Sequence, residues 1–168
     1  MYRGLAIALT ALALVSCGPQ TSPLEGTWAW FDPAACEGNL DVLTFEGKDF
    51  HHYREGDVHV QGADVRYHSS SESGAEWITA TYAVEVPRAP NPAEIADGAD
   101  PQEPVVVSRS VALTFEPQGE NILIFRGSVV DGNPPANAGN VIGRELYRCV
   151  DGQAVLDDAN GDGLIDAE

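Results

Sequence analysis

Oxygen-bearing side chains recur at every second position near the carboxyl terminus. The stretch is Asp158-Ala159-Asn160-Gly161-Asp162-Gly163-Leu164-Ile165-Asp166. Short carboxylate and carboxamide groups at alternate positions converge on one hard cation, and a glycine directly after them permits a sharp turn. Asp158, Asn160 and Asp162 supply those groups and Gly163 the turn. Histidines are the second candidate. All four, His51, His52, His59 and His68, lie within one short stretch. If Glu55-Gly56 is a two-residue turn, His52 faces His59 across a hairpin and His51 faces Val60. Such a pair chelates copper or zinc once a third ligand joins. Adjacent strand residues point to opposite faces, so polar strand histidines are the other reading. Catalytic signatures are missing: there is no GxSxG elbow, HExxH, P-loop or dinucleotide fingerprint. Ser69-Ser70-Ser71-Glu72-Ser73-Gly74 reads as a polar, linker-like loop. A non-enzymatic protein is expected.

The acidic stretch resembles the calcium loop of EF-hand and dockerin-type modules. The resemblance implies Asp158, Asn160, Asp162, Leu164 and Asp166 as calcium ligands. It also implies a bidentate glutamate at loop position twelve. That position would follow Glu168, the last residue, and Glu168 itself stands one place early. Weak calcium binding is therefore the expectation, with a solvated acidic tail as the alternative.

Ahead of these groups lies an amino-terminal segment of different character. Arg3 is the only charge before Glu25, and an apolar run from Leu5 to Val15 is broken only by Thr10. As a helix this run rises about 16 Å, short of a hydrocarbon core of ~30 Å. It reads as the apolar region of an export signal. Leu14-Val15-Ser16-Cys17 resembles the lipobox of bacterial lipoproteins. The resemblance implies cleavage before Cys17 and a diacylglycerol on its thiol. Two or more acyl chains of palmitate type would anchor the chain to a lipid bilayer. Gly18 stands where an aspartate would resemble an inner-membrane retention signal, so the outer membrane of the cell envelope is the expected location. The expected organisation is a signal peptide at 1–16, a lipidated tether at 17–23, a folded domain at 24–150 and an acidic tail at 151–168.

Composition agrees with one folded domain. Of 168 residues, 43% are apolar and 21% charged, an ordinary globular balance. Nine basic against 26 acidic residues give a formal charge of −17, which repels phosphate backbones and argues against nucleic-acid binding. With Cys17 taken by lipid, Cys36 and Cys149 remain. In an exported chain they most simply form a disulfide joining the ends of the domain. A metal ligand or a reactive thiol is the alternative, although neither cysteine has a CxxC partner or a neighbouring histidine.

The elements that must position these groups are strands. Short runs of period-two alternation are bounded by Gly, Asp, Asn and Pro. Eight are expected, at 24–31, 40–45, 49–54, 58–68, 77–86, 105–115, 121–130 and 141–150. In the fifth, Ile78, Ala80, Tyr82, Val84 and Val86 share a face. In the sixth, Arg109 interrupts an apolar face, as a residue near a rim would. Residues 87–104 hold five prolines and four acids, and read as a mobile excursion from a hairpin. Residues 131–140 read as another loop.

Eight antiparallel strands make an all-β fold, a small closed barrel or a β-sandwich, and closure removes exposed edges. Leu24-Glu25-Gly26-Thr27-Trp28 resembles the Gly-x-Trp motif that opens the first strand of lipocalin-like barrels. The resemblance implies a tryptophan closing one barrel end beneath a basic residue of the last strand, here Arg144 or Arg148. The helix that typical lipocalins carry after the last strand has no counterpart in this sequence. Trp28, Trp30 and Trp77 either fill the interior or line a cavity. The expected function is a lipid-anchored module binding a small apolar ligand or an envelope protein, with a calcium-responsive surface or periplasmic adaptor and a hydrolase-like enzyme as the alternatives.

Overall fold

Alternation in the sequence becomes alternation in burial. The computed structural model describes residues 22–72, 74–136 and 138–156. In β5 (Ala75–Arg88) the inward residues Ile78, Ala80, Tyr82 and Val84 are buried. In β6 (Val105–Gln118) Leu113 and Phe115 are buried, and in β7 (Ile122–Val130) Leu123 and Phe125. The remaining strands are β1 (Gly26–Trp30), β2 (Asp41–Glu46), β3 (Asp49–Arg54), β4 (Asp57–Glu72), β8 (Glu145–Val150) and the two-residue β9 (Gln153–Ala154). Each pairs antiparallel with the next, and β1 also pairs with β8. The result is a closed eight-stranded antiparallel barrel, consistent with a lipocalin-like architecture; β9 folds back beside β8.

The turns place the two ends of the barrel. Arg54 pairs with Asp57, so Glu55-Gly56 is a two-residue turn. Both residues have positive φ, 54° and 84°, as a hairpin of matching twist requires. Gly62 serves a different need. It lies opposite Phe50 and Val84, and a Cβ there would run into the Tyr82 ring. Its bare backbone leaves room for Tyr82 to stack on Phe50, with centroids 4.2 Å apart.

A second, smaller core lies outside the barrel wall. After β1 the chain forms a 3-10 segment, Pro33–Asn39, started by Asp32, whose side chain accepts from the Ala34 N–H. Ala29, Ala35, Cys36 and Val42 are buried there, with Tyr53, Tyr147, Cys149 and Ala154 packed against them. Cys36 and Cys149 form a disulfide across this layer, with Cα atoms 5.5 Å apart. The 3-10 segment and β9 thus cover outer barrel surface.

Several boundaries differ from expectation. Ser69, Ser70 and Ser71 are strand residues, paired with Ile78, Trp77 and Glu76. Their composition suggests a loop, but the alternating partner strand supplies a ladder that overrides local propensity. β5 continues to Arg88, and residues 87–104 contain a short helix, α1 (Pro92–Ala96). Asn91 and Glu94 form a reciprocal capping box around it, and Arg88 holds Glu94 in a two-pronged ion pair. The Arg88 hydrogen bonds, with the Asn91 backbone, bring the Glu94 carboxyl down to about 2. β8 begins at Glu145, because Val141 to Gly143 belong to a turn in which the Gly143 N–H donates to Phe125.

Candidate functional site

One end of the barrel is built on the first strand. Trp28 is 1% exposed, and its Nε1–H donates to the Leu24 carbonyl at 2.9 Å. Arg148, its cross-strand partner on β8, lies over the indole with the guanidinium carbon 4.4 Å from the ring centroid. The guanidinium donates to the carbonyls of Glu120 at 2.9 Å, Glu25 at 3.2 Å and Pro23 at 3.3 Å. One side chain thereby ties together the amino-terminal segment, the β6–β7 turn and β8. Of the two arginines considered, Arg148 occupies this position. A cleft of about 580 Å³ opens beside it, lined by Pro23, Trp28, Ile78, Pro117 and Leu123 among others. Three of its five N–H groups are held by backbone carbonyls, so Arg148 clamps the fold while its charge borders the cleft.

Tyr67 projects inward near this end, its ring centroid 6.4 Å from that of Phe45. Its hydroxyl is buried without a hydrogen-bond partner among the described residues. Burial, assisted by the charge of Glu25, pushes its pKa up to about 12. An orphaned hydroxyl carries a desolvation cost, and removing it relieves that cost. Tyr67→Phe is expected to raise the unfolding free energy by about 1 kcal/mol, read from the urea midpoint at constant m-value. A loss of stability would show that the hydroxyl has a partner in solution.

Aromatic rings pack together at the opposite end. Trp30 packs on Phe31 with centroids 4.0 Å apart, and edge-on to Phe125 at 5.2 Å. Arg144 lies over Phe31 at 4.6 Å. His52 also reaches this rim, its ring centroid 6.2 Å from that of Trp30. A 2.6 Å hydrogen bond joins its Nε2 to Asp41 Oδ1. The predicted histidine register is corrected here. A bulge between His52 and Tyr53 places His52 opposite Val60, and His51 opposite Gln61. His59 is the extra residue, yet its ring still stands 5.8 Å from His52, nearly perpendicular. His51 turns to the other face beside Tyr53, and exposed His68 pairs with Thr79 farther along β4. The four histidines therefore form no single site. Among the described residues no group of three His, Cys, Asp or Glu side chains is arranged to hold a metal ion. The Asp41–His52 pair can orient an imidazole, and no hydroxyl or thiol is bonded to that imidazole among the described residues.

Between the two ends the interior is occupied by rings. Phe45 contacts Phe50 at 5.1 Å and Phe115 at 6.1 Å, and Phe115 contacts Phe125 at 5.8 Å. Trp28 and Trp30 belong to this filling or its ends. Trp77 does not, since it alternates with inward Ile78 and faces the other way. Two further clefts, of about 580 and 420 Å³, lie on the outer surface near Gly62 and Gly152.

Asp41, Tyr67 and the Arg144–Phe31 contact were not singled out from the sequence. Only the pairing of β2 with β3 brings Asp41 to His52, so a hairpin count was the available signal. Cys17 lies outside the described residues, as do Asp158, Asn160, Asp162, Leu164 and Asp166. In comparisons with family models, curated proteins and solved structures, none matches this chain.

Proposed function

We propose that this chain is a non-enzymatic envelope lipoprotein whose lipocalin-like barrel binds a partner protein on its outer surface. The observation that carries the choice of partner over interior ligand is the filled interior. Trp28, Phe45, Phe50, Phe115 and Phe125 are each at most 2% exposed and fill the barrel between its ends, and the cleft of about 580 Å³ beside Arg148 is open at the barrel end rather than enclosed within it. The Leu14-Val15-Ser16-Cys17 motif supports lipidation at Cys17 and an outer-membrane anchor. The spacing from Asp158 to Asp166 supports a weak calcium site as an addition, on sequence alone.

Both halves are testable with the full chain. Cys17→Ala is expected to move the protein from the membrane to the soluble fraction; unchanged membrane partition overturns the anchor. An apolar fluorescent probe titrated into the barrel is expected to show no saturable binding that quenches tryptophan. Stoichiometric binding of the probe would restore the interior-ligand reading in place of a partner.

A further inference from the structure

Two strands outgrow the barrel. β4 pairs with β5 only as far as Gly62↔Val84, and β7 pairs with β6 only as far as Val111↔Val130. β5 and β6 go on pairing with each other to Arg88↔Val105. Residues 85–88 and 105–109 thus form a two-stranded arm beyond the barrel wall.

The two edges of this arm are not equivalent. In an antiparallel ladder each residue sends its N–H and C=O to one side, and successive residues alternate. Ser110 sends both to Asp131, its N–H to Oδ1 and its C=O to the Asp131 N–H. Ser108 and Val106 share its parity, so their N–H and C=O groups point to the same, outer side. Pro87 confirms this independently. It pairs with Val106, and a residue without an N–H fits only where the pair is not hydrogen-bonded. On the β5 edge the exposed groups belong to Glu85 and Pro87, and Pro87 blunts that edge. On the β6 edge, no hydrogen bond takes up the N–H and C=O of Val106 or Ser108 among the described residues. The run Val105-Val106-Val107 is held extended by its β-branched side chains, and Val106 is 59% exposed. This is a complete, unguarded strand edge.

Charge selects what could fill it. Residues 85–109 carry five acids and two arginines. Both arginines are already held, Arg88 by Glu94 and Arg109 by Asp131. Glu85, Asp97, Asp100 and Glu103 have no cationic partner among the described residues. A second copy would bring the same carboxylates and a further formal charge of −17. We propose that the free β6 edge at Val106 and Ser108 binds an extended, cationic segment of a partner protein by strand addition. Backbone hydrogen bonds give the affinity, and the carboxylates of the arm select the charge. This rests on the reading of the barrel as a protein-binding module.

The test uses two short synthetic peptides, one of alternating valine and lysine and one with glutamate in place of lysine. The lysine peptide is expected to bind saturably and to slow hydrogen exchange at the Val106 and Ser108 amides. Val105 and Val107, whose amides face β5, should not change. Val106→Pro and Ser108→Pro each remove one edge N–H that the β5–β6 ladder does not use. Each should weaken binding by about tenfold, with unchanged protection at Val105 and Val107 reporting an intact arm. Equal binding by both variants, equal binding of the glutamate peptide, or no slowing at Val106 and Ser108 overturns the proposal. Dimerisation of the free protein that Val106→Pro abolishes would overturn it in favour of a second copy. If the peptides fail while crosslinks to a partner map elsewhere on the barrel, strand addition falls and the binding-module reading stands. Interior binding of the apolar probe alone would remove both.

Discussion

Reducing the Cys36–Cys149 disulfide is expected to lower the unfolding free energy by about 4 to 5 kcal/mol. The bond spans a sequence separation of 113, nearly the whole folded domain. Its effect falls mainly on the unfolded chain, which loses one very large loop's worth of freedom when the bond is closed. The folded state needs the bond less, because β1 and β8 already pair where it lies, with Thr27 opposite Cys149. The outer core of Ala29, Ala35 and Val42 holds the same ends together. Two measurements separate these contributions. Urea unfolding with and without reductant gives the loss in free energy. The m-value should rise on reduction, because the uncrosslinked unfolded chain exposes more surface. A double Cys36→Ser, Cys149→Ser variant should match the reduced protein. A loss below about 1 kcal/mol with unchanged m would mean that residual structure already joins the ends of the unfolded chain.

How much of this was legible in the sequence depends on whether local pattern or pairing decides each feature. The inward face of β5, from Ile78 to Val84, follows from alternation alone, because the strand is long and one face is apolar. The place of Trp28 beneath a basic residue came from the resemblance of Gly26-Thr27-Trp28 to the opening motif of lipocalin-like barrels, and Arg148 does lie over its ring. Whether Arg144 or Arg148 would cover the indole was not legible. That choice depends on the β1–β8 register, which closes the barrel between residues more than a hundred apart. The histidine register failed for a related reason. Glu55-Gly56 fixes pairing at the hairpin tip, and a bulge two pairs from the turn is invisible in composition. Pro92 and the Asn91–Glu94 spacing were a readable helix start, but the density of prolines around them suggested irregular chain. Of the arm, the β6 side and residues 85–86 were legible as strand, whereas Pro87 and Arg88 read as part of the proline-rich loop. The arm's free edge was not legible, because an edge is free only by comparison with where the neighbouring strands stop.

Trp28→Ala is expected to cost about 5 kcal/mol, the upper end of the range for deleting a buried aromatic side chain. Three losses combine at this position. The large apolar surface of a residue 1% exposed is removed, and a cavity is left beneath the amino-terminal segment. The Leu24 carbonyl loses its 2.9 Å indole donor. The Arg148 guanidinium loses the ring 4.4 Å beneath it. Trp28→Phe keeps much of the surface and should cost roughly half as much. Arg148→Ala should cost about 2 kcal/mol, since it frees the Glu120, Glu25 and Pro23 carbonyls together. Arg148→Lys should recover little of that, because an ammonium cannot span three carbonyls in a planar fork. The double-mutant cycle between Trp28 and Arg148 isolates the stacking contact and should give a coupling of about 1 kcal/mol. Zero coupling would mean that each side chain holds the barrel end through its backbone partner alone. That outcome would leave the tryptophan a core residue and the arginine a strap, with no stacked pair between them.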